Sequence, residues 1–91
     1  PTRIFCERQL RPNGVEVEYY DPLAGSGIAK LIRPNTRAVF CEAPGSLTFE
    51  MQDIPAIAAA AHAHGIPVLA DTTWGTPYFF RSFEHGVDVS I

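Results

Sequence analysis

In this chain an apolar run, Ile66 to Ala70, stops on a carboxylate, Asp71, which is followed by two hydroxyls, an indole and a glycine-proline turn in "DTTWGTP". An acid at the end of a buried segment has two uses. It can cap the turn, with Thr72 and Thr73 bonding local backbone, or it can sit in a low-dielectric crevice as partner to a cation, where a charge-assisted hydrogen bond is strong. Trp74 is then either core or the wall of a pocket. A second apolar run ends in "EAPGS", Glu42 to Ser46. Ser46 is a turn residue or a ligand contact; it lacks the G-x-S-x-G setting of a hydrolase nucleophile.

The remaining reactive side chains suggest less. His62 and His64 are two apart, which on a helix points them in different directions. Neither they nor His85 has metal-ligand spacing, so solvated or helix-end histidines are expected and no metal site. Lys30, the only lysine, precedes "RPNT" and reads as a solvated side chain. Cys6 and Cys41 each sit in an apolar pattern and read as buried, reduced thiols. "GSG" at Gly25 to Gly27 lacks both the third glycine and the preceding buried strand of a dinucleotide fingerprint.

Positioning these groups requires a frame, and the pattern predicts one. A short helix opens at Thr2, which can cap it, with Ile4, Phe5 and Leu10 as its apolar face and "RPNG" as its stop. "VEVEYY" alternates at period two, the mark of a half-buried strand. "DPLAGSG" is a turn, and "GIAKLI" a brief helix that ends before Pro34. "RAVFCE" is apolar enough for a strand covered on both faces. Asp53 to His64 is the clearest helix: Asp53 caps it, Pro55 suits its first turn, alanines fill it and Gly65 stops it. "IPVLAD" is a second buried strand, Phe80 to Gly86 a helical turn and "VDVSI" another strand. Strands alternating with helices predict an α/β layer with a largely parallel sheet, and in such sheets ligands bind where loops leave the strands' carboxyl ends. Glu42 to Ser46 and Asp71 to Gly75 are two such loops.

With 91 residues, 46% hydrophobic and 19% charged, the chain has room for one core at most, and it reads as part of one domain of a longer polypeptide. A net charge of -3 with scattered basic residues offers nothing to a phosphate backbone, so no nucleic acid is expected. No apolar run approaches the roughly 20 residues of a membrane span. A cytoplasmic protein is expected.

Taken together, "RPNTRAVFCEAPGS", "MQDIPAIAAAAHAHGIPVLADTTW" and "FEHGVDVSI" resemble the cystathionine-metabolism (Cys/Met metabolism) family of pyridoxal-phosphate enzymes, and within it most closely the bacterial cystathionine β-lyases. The resemblance covers essentially the whole chain. It implies part of the mainly parallel-sheet large domain of a fold-type I enzyme, similar to aspartate aminotransferase, with pyridoxal 5'-phosphate as cofactor. By resemblance Asp71 bonds the protonated pyridine nitrogen and keeps the ring an electron sink. Thr73 matches the threonine of the family's D-N-T motif and approaches the cofactor. Thr72 stands where the family has asparagine. Ser46 and Trp74 fall near the substrate.

The implied reaction is α,β-elimination of cystathionine to homocysteine, pyruvate and ammonia. The Schiff-base lysine is expected just beyond Ile91, so these residues by themselves are expected to be inert, and to fold poorly without their sheet neighbours. A small sulfur-containing amino acid is the implied substrate and a homo-oligomer, a dimer of dimers, the implied assembly. Three other readings stay open: a γ-lyase, γ-synthase or sulfhydrylase of the same family, a non-catalytic flavodoxin-like binding or receiver module, and a non-catalytic relative that keeps the fold and has lost the chemistry. The second would need an acidic pair near an earlier strand end, where only Asp21 is offered, and a lysine at a later one, where there is none.

Overall fold

The computed structural model describes residues 1–91. Its centre is a three-stranded parallel sheet in the order β1 (Val39–Glu42), β2 (Val68–Asp71), β3 (Val89–Ser90). The register pairs Val39 with Val68, Cys41 with Ala70 and Glu42 with Asp71, and on the other side Leu69 with Val89. Three helices accompany it: α1 (Thr2–Phe5), α2 (Ile54–His62) and α3 (Thr76–Phe79).

α2 forms where local chemistry demands it. The Asp53 side chain accepts from the Ala56 amide at 3.0 Å, which satisfies one of the helix's free N–H groups, and Pro55 lies in the first turn, where its missing donor costs nothing. Ile54, Ile57, Ala58 and Ala61 follow at i, i+3, i+4 and i+7 and are all buried. They cover one face of the sheet, against Val39, Cys41, Val68 and Ala70, while Ile28 from a 3-10 turn (Gly25–Lys30) joins the same core. Packing here is tight enough to dictate a glycine. Gly86 has φ +87°, and a Cβ there would fall 2.7 Å from that of Ala58.

The last turn of α2 is tied to the sheet by a pair invisible in the spacing of its histidines. His62 Nε2 lies 2.9 Å from Asp88 Oδ2, which also accepts from the Val68 amide at 2.7 Å. These two bonds, the His62 contact first, hold the Asp88 carboxyl below its ordinary value of 3.8.

Several expectations are corrected. Val15 to Tyr20 forms no strand, because no strand pairs with it; Val15 and Tyr19 are exposed, and only Val17 and Tyr20 are half-buried. The segment is held instead by side chains. Arg11 Nη2 donates to the Val17 carbonyl (2.8 Å), and the Tyr20 hydroxyl lies 2.9 Å from the Phe40 carbonyl and 2.8 Å from Gln52 Oε1. Burial drives the Tyr20 pKa upward and that of Cys41, whose Sγ is 3.4 Å away, likewise.

Thr2 is the first residue of α1 rather than its cap, and the chain stays helical through Asn13, as π-helix (Cys6–Leu10) then 3-10 (Arg11–Asn13). Ile4 and Phe5 of its expected apolar face remain more than half exposed. Cys41 is buried and Cys6 only half so. β1 begins two residues later than its apolar run, and the sheet is covered on one face: Phe40 and Leu69 on the other are half-buried, and Val89 is exposed. Where a glycine-proline turn was expected, α3 forms.

Candidate active site

Because β1 and β2 are parallel neighbours, their carboxyl ends lie side by side, about 4.8 Å apart, and Glu42 and Asp71 are register partners there. Each carboxylate is tied into the loop that follows it. Glu42 Oε1 accepts from both the Ser46 amide (3.0 Å) and the Ser46 hydroxyl (2.5 Å). Asp71 Oδ1 accepts from the Thr73 amide (3.0 Å) and the Thr73 hydroxyl (2.6 Å). The two readings of Asp71 therefore meet in one side chain. Oδ1 caps the turn, and Oδ2 makes no hydrogen bond within the chain, which leaves it free to accept from a cationic N–H.

The hydroxyls divide by face. Thr72 is buried, its Oγ1 3.2 Å from Ser90 Oγ, so it pins β2 to β3 rather than facing a ligand. Thr73 is exposed and holds the Asp71 rotamer. Trp74 is 63% exposed and so not core. Its ring meets Phe49 edge-to-face at a centroid distance of 5.4 Å, which links the Asp71 loop to the Ser46 loop. Asp71, Thr73, Ser46 and Trp74 thus share one end of the sheet. Lys30 does not join them; it is exposed on the 3-10 turn that packs against α2, beyond the covered face.

Two contributors escaped the sequence reading. Gln52 Nε2 donates to the Glu42 carbonyl at 3.0 Å while its Oε1 meets the Tyr20 hydroxyl, so the start of the Ser46 loop is braced from below. Phe49 reaches Trp74 only because the loop turns through left-handed backbone, which no local pattern announces. A cleft of about 610 Å³ opens beside Asp71, lined by Thr72, Thr73, Thr76, Ser82 and Ser90 with Arg81 as its one cation. Arg81 is already paired with Glu84 Oε1 at 3.3 Å. The cleft lacks Asp71, Ser46 and Trp74, and the open carboxylate oxygen marks the site better than this cleft does.

Asp71 Oδ2, the hydroxyl-bearing turn and the aromatic wall suit a flat ring that carries an N–H⁺. No three His, Cys, Asp or Glu side chains converge as metal ligands, and no helix is long and apolar enough to cross a membrane.

The family described as "Cys/Met metabolism PLP-dependent enzyme" matches residues 1–91. A Rhizobium johnstonii protein with a provisional cystathionine beta-lyase name is 62% identical over 91 residues, all of this chain and 23% of its own length. The cystathionine beta-lyase MetC of Escherichia coli is 42% identical over 94 residues, again all of this chain and 24% of its own. Among solved structures, the cystathionine gamma-lyase of Lactobacillus plantarum, determined with L-serine, superposes with a TM-score of 0.92 at 28% identity, over 98% of this chain and 23% of that one. The chain spans about a quarter of the length of these relatives. The match of the family model over every residue places the chain in the Cys/Met metabolism family of pyridoxal-phosphate-dependent enzymes.

Proposed function

We propose that the protein carrying this chain is a carbon–sulfur lyase that converts cystathionine and water to homocysteine, pyruvate and ammonia, and that residues 1–91 are part of its cofactor-binding domain. The observation that carries the reading is Asp71, fixed through Oδ1 by two donors of Thr73 and open at Oδ2. The names of four relatives at 40–62% identity support β-elimination as the outcome, although one at 40% is named a racemase.

When bound, pyridoxal phosphate supplies a protonated aromatic ring that takes up the electron pair left at the substrate's Cα when its proton departs. Asp71 would hold that ring's N–H through Oδ2, and a carboxylate there keeps the nitrogen protonated. Thr73 keeps Oδ2 aimed by occupying Oδ1. Ser46, whose amide and hydroxyl protons are both committed to Glu42, presents lone pairs toward the substrate. Trp74 supplies an apolar wall against the substrate's methylenes. The lysine that moves the Cα proton lies just beyond Ile91, and the working enzyme is a cytoplasmic homo-oligomer.

A second reading, γ-elimination, is suggested by the name of the Lactobacillus plantarum enzyme. Product analysis separates the two: full-length protein supplied with L-cystathionine and pyridoxal phosphate yields pyruvate with homocysteine under the proposed reading. Release of 2-oxobutyrate with cysteine would transfer the assignment to the γ-lyases, and no keto acid would remove both.

A further inference from the structure

The loop between β1 and α2 holds two bulky residues in the left-handed region, Leu47 at φ 70° and Phe49 at φ 61°. Such a backbone is unfavourable for any residue with a Cβ and persists only where surrounding contacts fix it. Here they do. The Gly45 amide donates to the Glu50 carbonyl and the Phe49 amide to the Gly45 carbonyl, both at 2.9 Å, while Glu42 Oε1 takes both donors of Ser46. Gly45 is boxed in, since a Cβ on it would stand 3.0 Å from Glu50 Oε2 and 3.3 Å from Thr48 Oγ1.

This closed loop buries little. Leu47 is 91% exposed and Phe49 56%. The contact it does secure is the edge-to-face meeting of Phe49 with Trp74, across to the loop that carries Asp71.

We propose that Phe49 is a positioning residue: the strained Gly45–Glu50 loop exists to set its ring against the Trp74 indole and so fix the apolar wall of the substrate site. The inference rests on the reading of Trp74 as that wall. An indole on an exposed turn has several rotamers; the edge-to-face contact with Phe49 favours one, and so biases the face it offers to a thioether-bearing amino acid before the substrate arrives. Phe49 acts on binding through Trp74 and has no part in proton transfer, so its loss falls on KM rather than kcat.

The test uses full-length holoenzyme with L-cystathionine, four single variants and one double. Phe49→Gly removes the ring from a backbone that glycine adopts freely, so it raises KM about 3- to 10-fold, the worth of one aromatic pair, with kcat little changed and no fall in Tm. Phe49→Tyr keeps the ring and leaves KM at the wild-type value. The near-ultraviolet circular dichroism of Trp74, isolated by subtracting the Trp74→Phe spectrum, collapses in Phe49→Gly and survives in Phe49→Tyr. Trp74→Ala raises KM by itself, and adding Phe49→Gly raises it no further. If Trp74→Ala raises KM while Phe49→Gly leaves it unchanged, or the two effects add in full, the positioning role falls and the wall stands. A KM unmoved by Trp74→Ala overturns the wall and the inference with it. A Tm lowered in Phe49→Gly, with the Trp74 signal intact, makes Phe49 merely structural.

Discussion

Where α2 meets the sheet, Ile57, Ala61, Val68 and Ala70 are wholly screened from water, whereas in the loops that follow β1 and β2 Leu47, Phe49 and Trp74 are more exposed than buried. The covered face is aliphatic and small, its polar backbone paired within helix and ladder. The rim carries carboxylates, hydroxyls and aromatic rings on backbone that enters the left-handed region at Leu47, Phe49 and Thr76. Strain survives at the rim because the ladder beneath it runs right up to the loops, with Ala43 N to Asp71 O at 3.4 Å and Thr72 N to Ile91 O at 3.0 Å. Rigidity and reactivity occupy successive residues of the same strands, and substitutions can separate them.

The largest separation is expected at Asp71. Under the proposed role of Asp71, Asp71→Ala leaves the cofactor's N–H⁺ without its partner and lowers kcat/KM of the full-length enzyme about 100- to 1,000-fold, while Thr73 loses only a turn cap and Tm moves little. A comparable fall in Tm would merge the two regions and break the comparison. The mirror case is Ile57→Ala, which opens a cavity under α2 and costs about 2–5 kcal/mol of stability. Urea unfolding reads the loss, and KM of the protein that remains folded stays near wild type; a raised KM would show that the covered face shapes the site directly.

The smallest effect sharpens the boundary between α2 and the sheet. Asp88, held below its ordinary value by His62 and the Val68 amide, favours folding above its unfolded pKa, and that contribution disappears as pH falls through the lower folded value. The urea midpoint followed from about pH 5 to pH 2 should therefore decline more steeply in wild type than in Asp88→Asn. Parallel curves would remove this clasp from the account.

α2 and the two strands around it were legible because each is specified locally. Asp53, Pro55 and the 54, 57, 58, 61 spacing act within a few residues, and an apolar run closed by a carboxylate marks a strand end whatever lies beside it. Val15 to Tyr20 shows the limit. Its alternation fits a strand, but a strand is a relation between two segments and no partner pairs with it. α3 was missed because its first residue, Thr76, stands at φ 51° and donates back to the Thr72 carbonyl, a closure imposed by the turn after Asp71. The bond between His62 and Asp88, 26 residues apart, has no sequence signature at all.

By itself, then, the sequence determined the α/β alternation, the capped helix and the acid at the end of a buried strand, because caps, periodicities and strand ends are written in adjacent residues. Tertiary structure decided that Glu42 and Asp71 stand in register, that Asp71 keeps one oxygen open, that Thr72 turns inward to Ser90 and that Phe49 reaches Trp74. Each of these depends on parallel strands bringing distant loops to one rim, and no local free energy encodes that meeting.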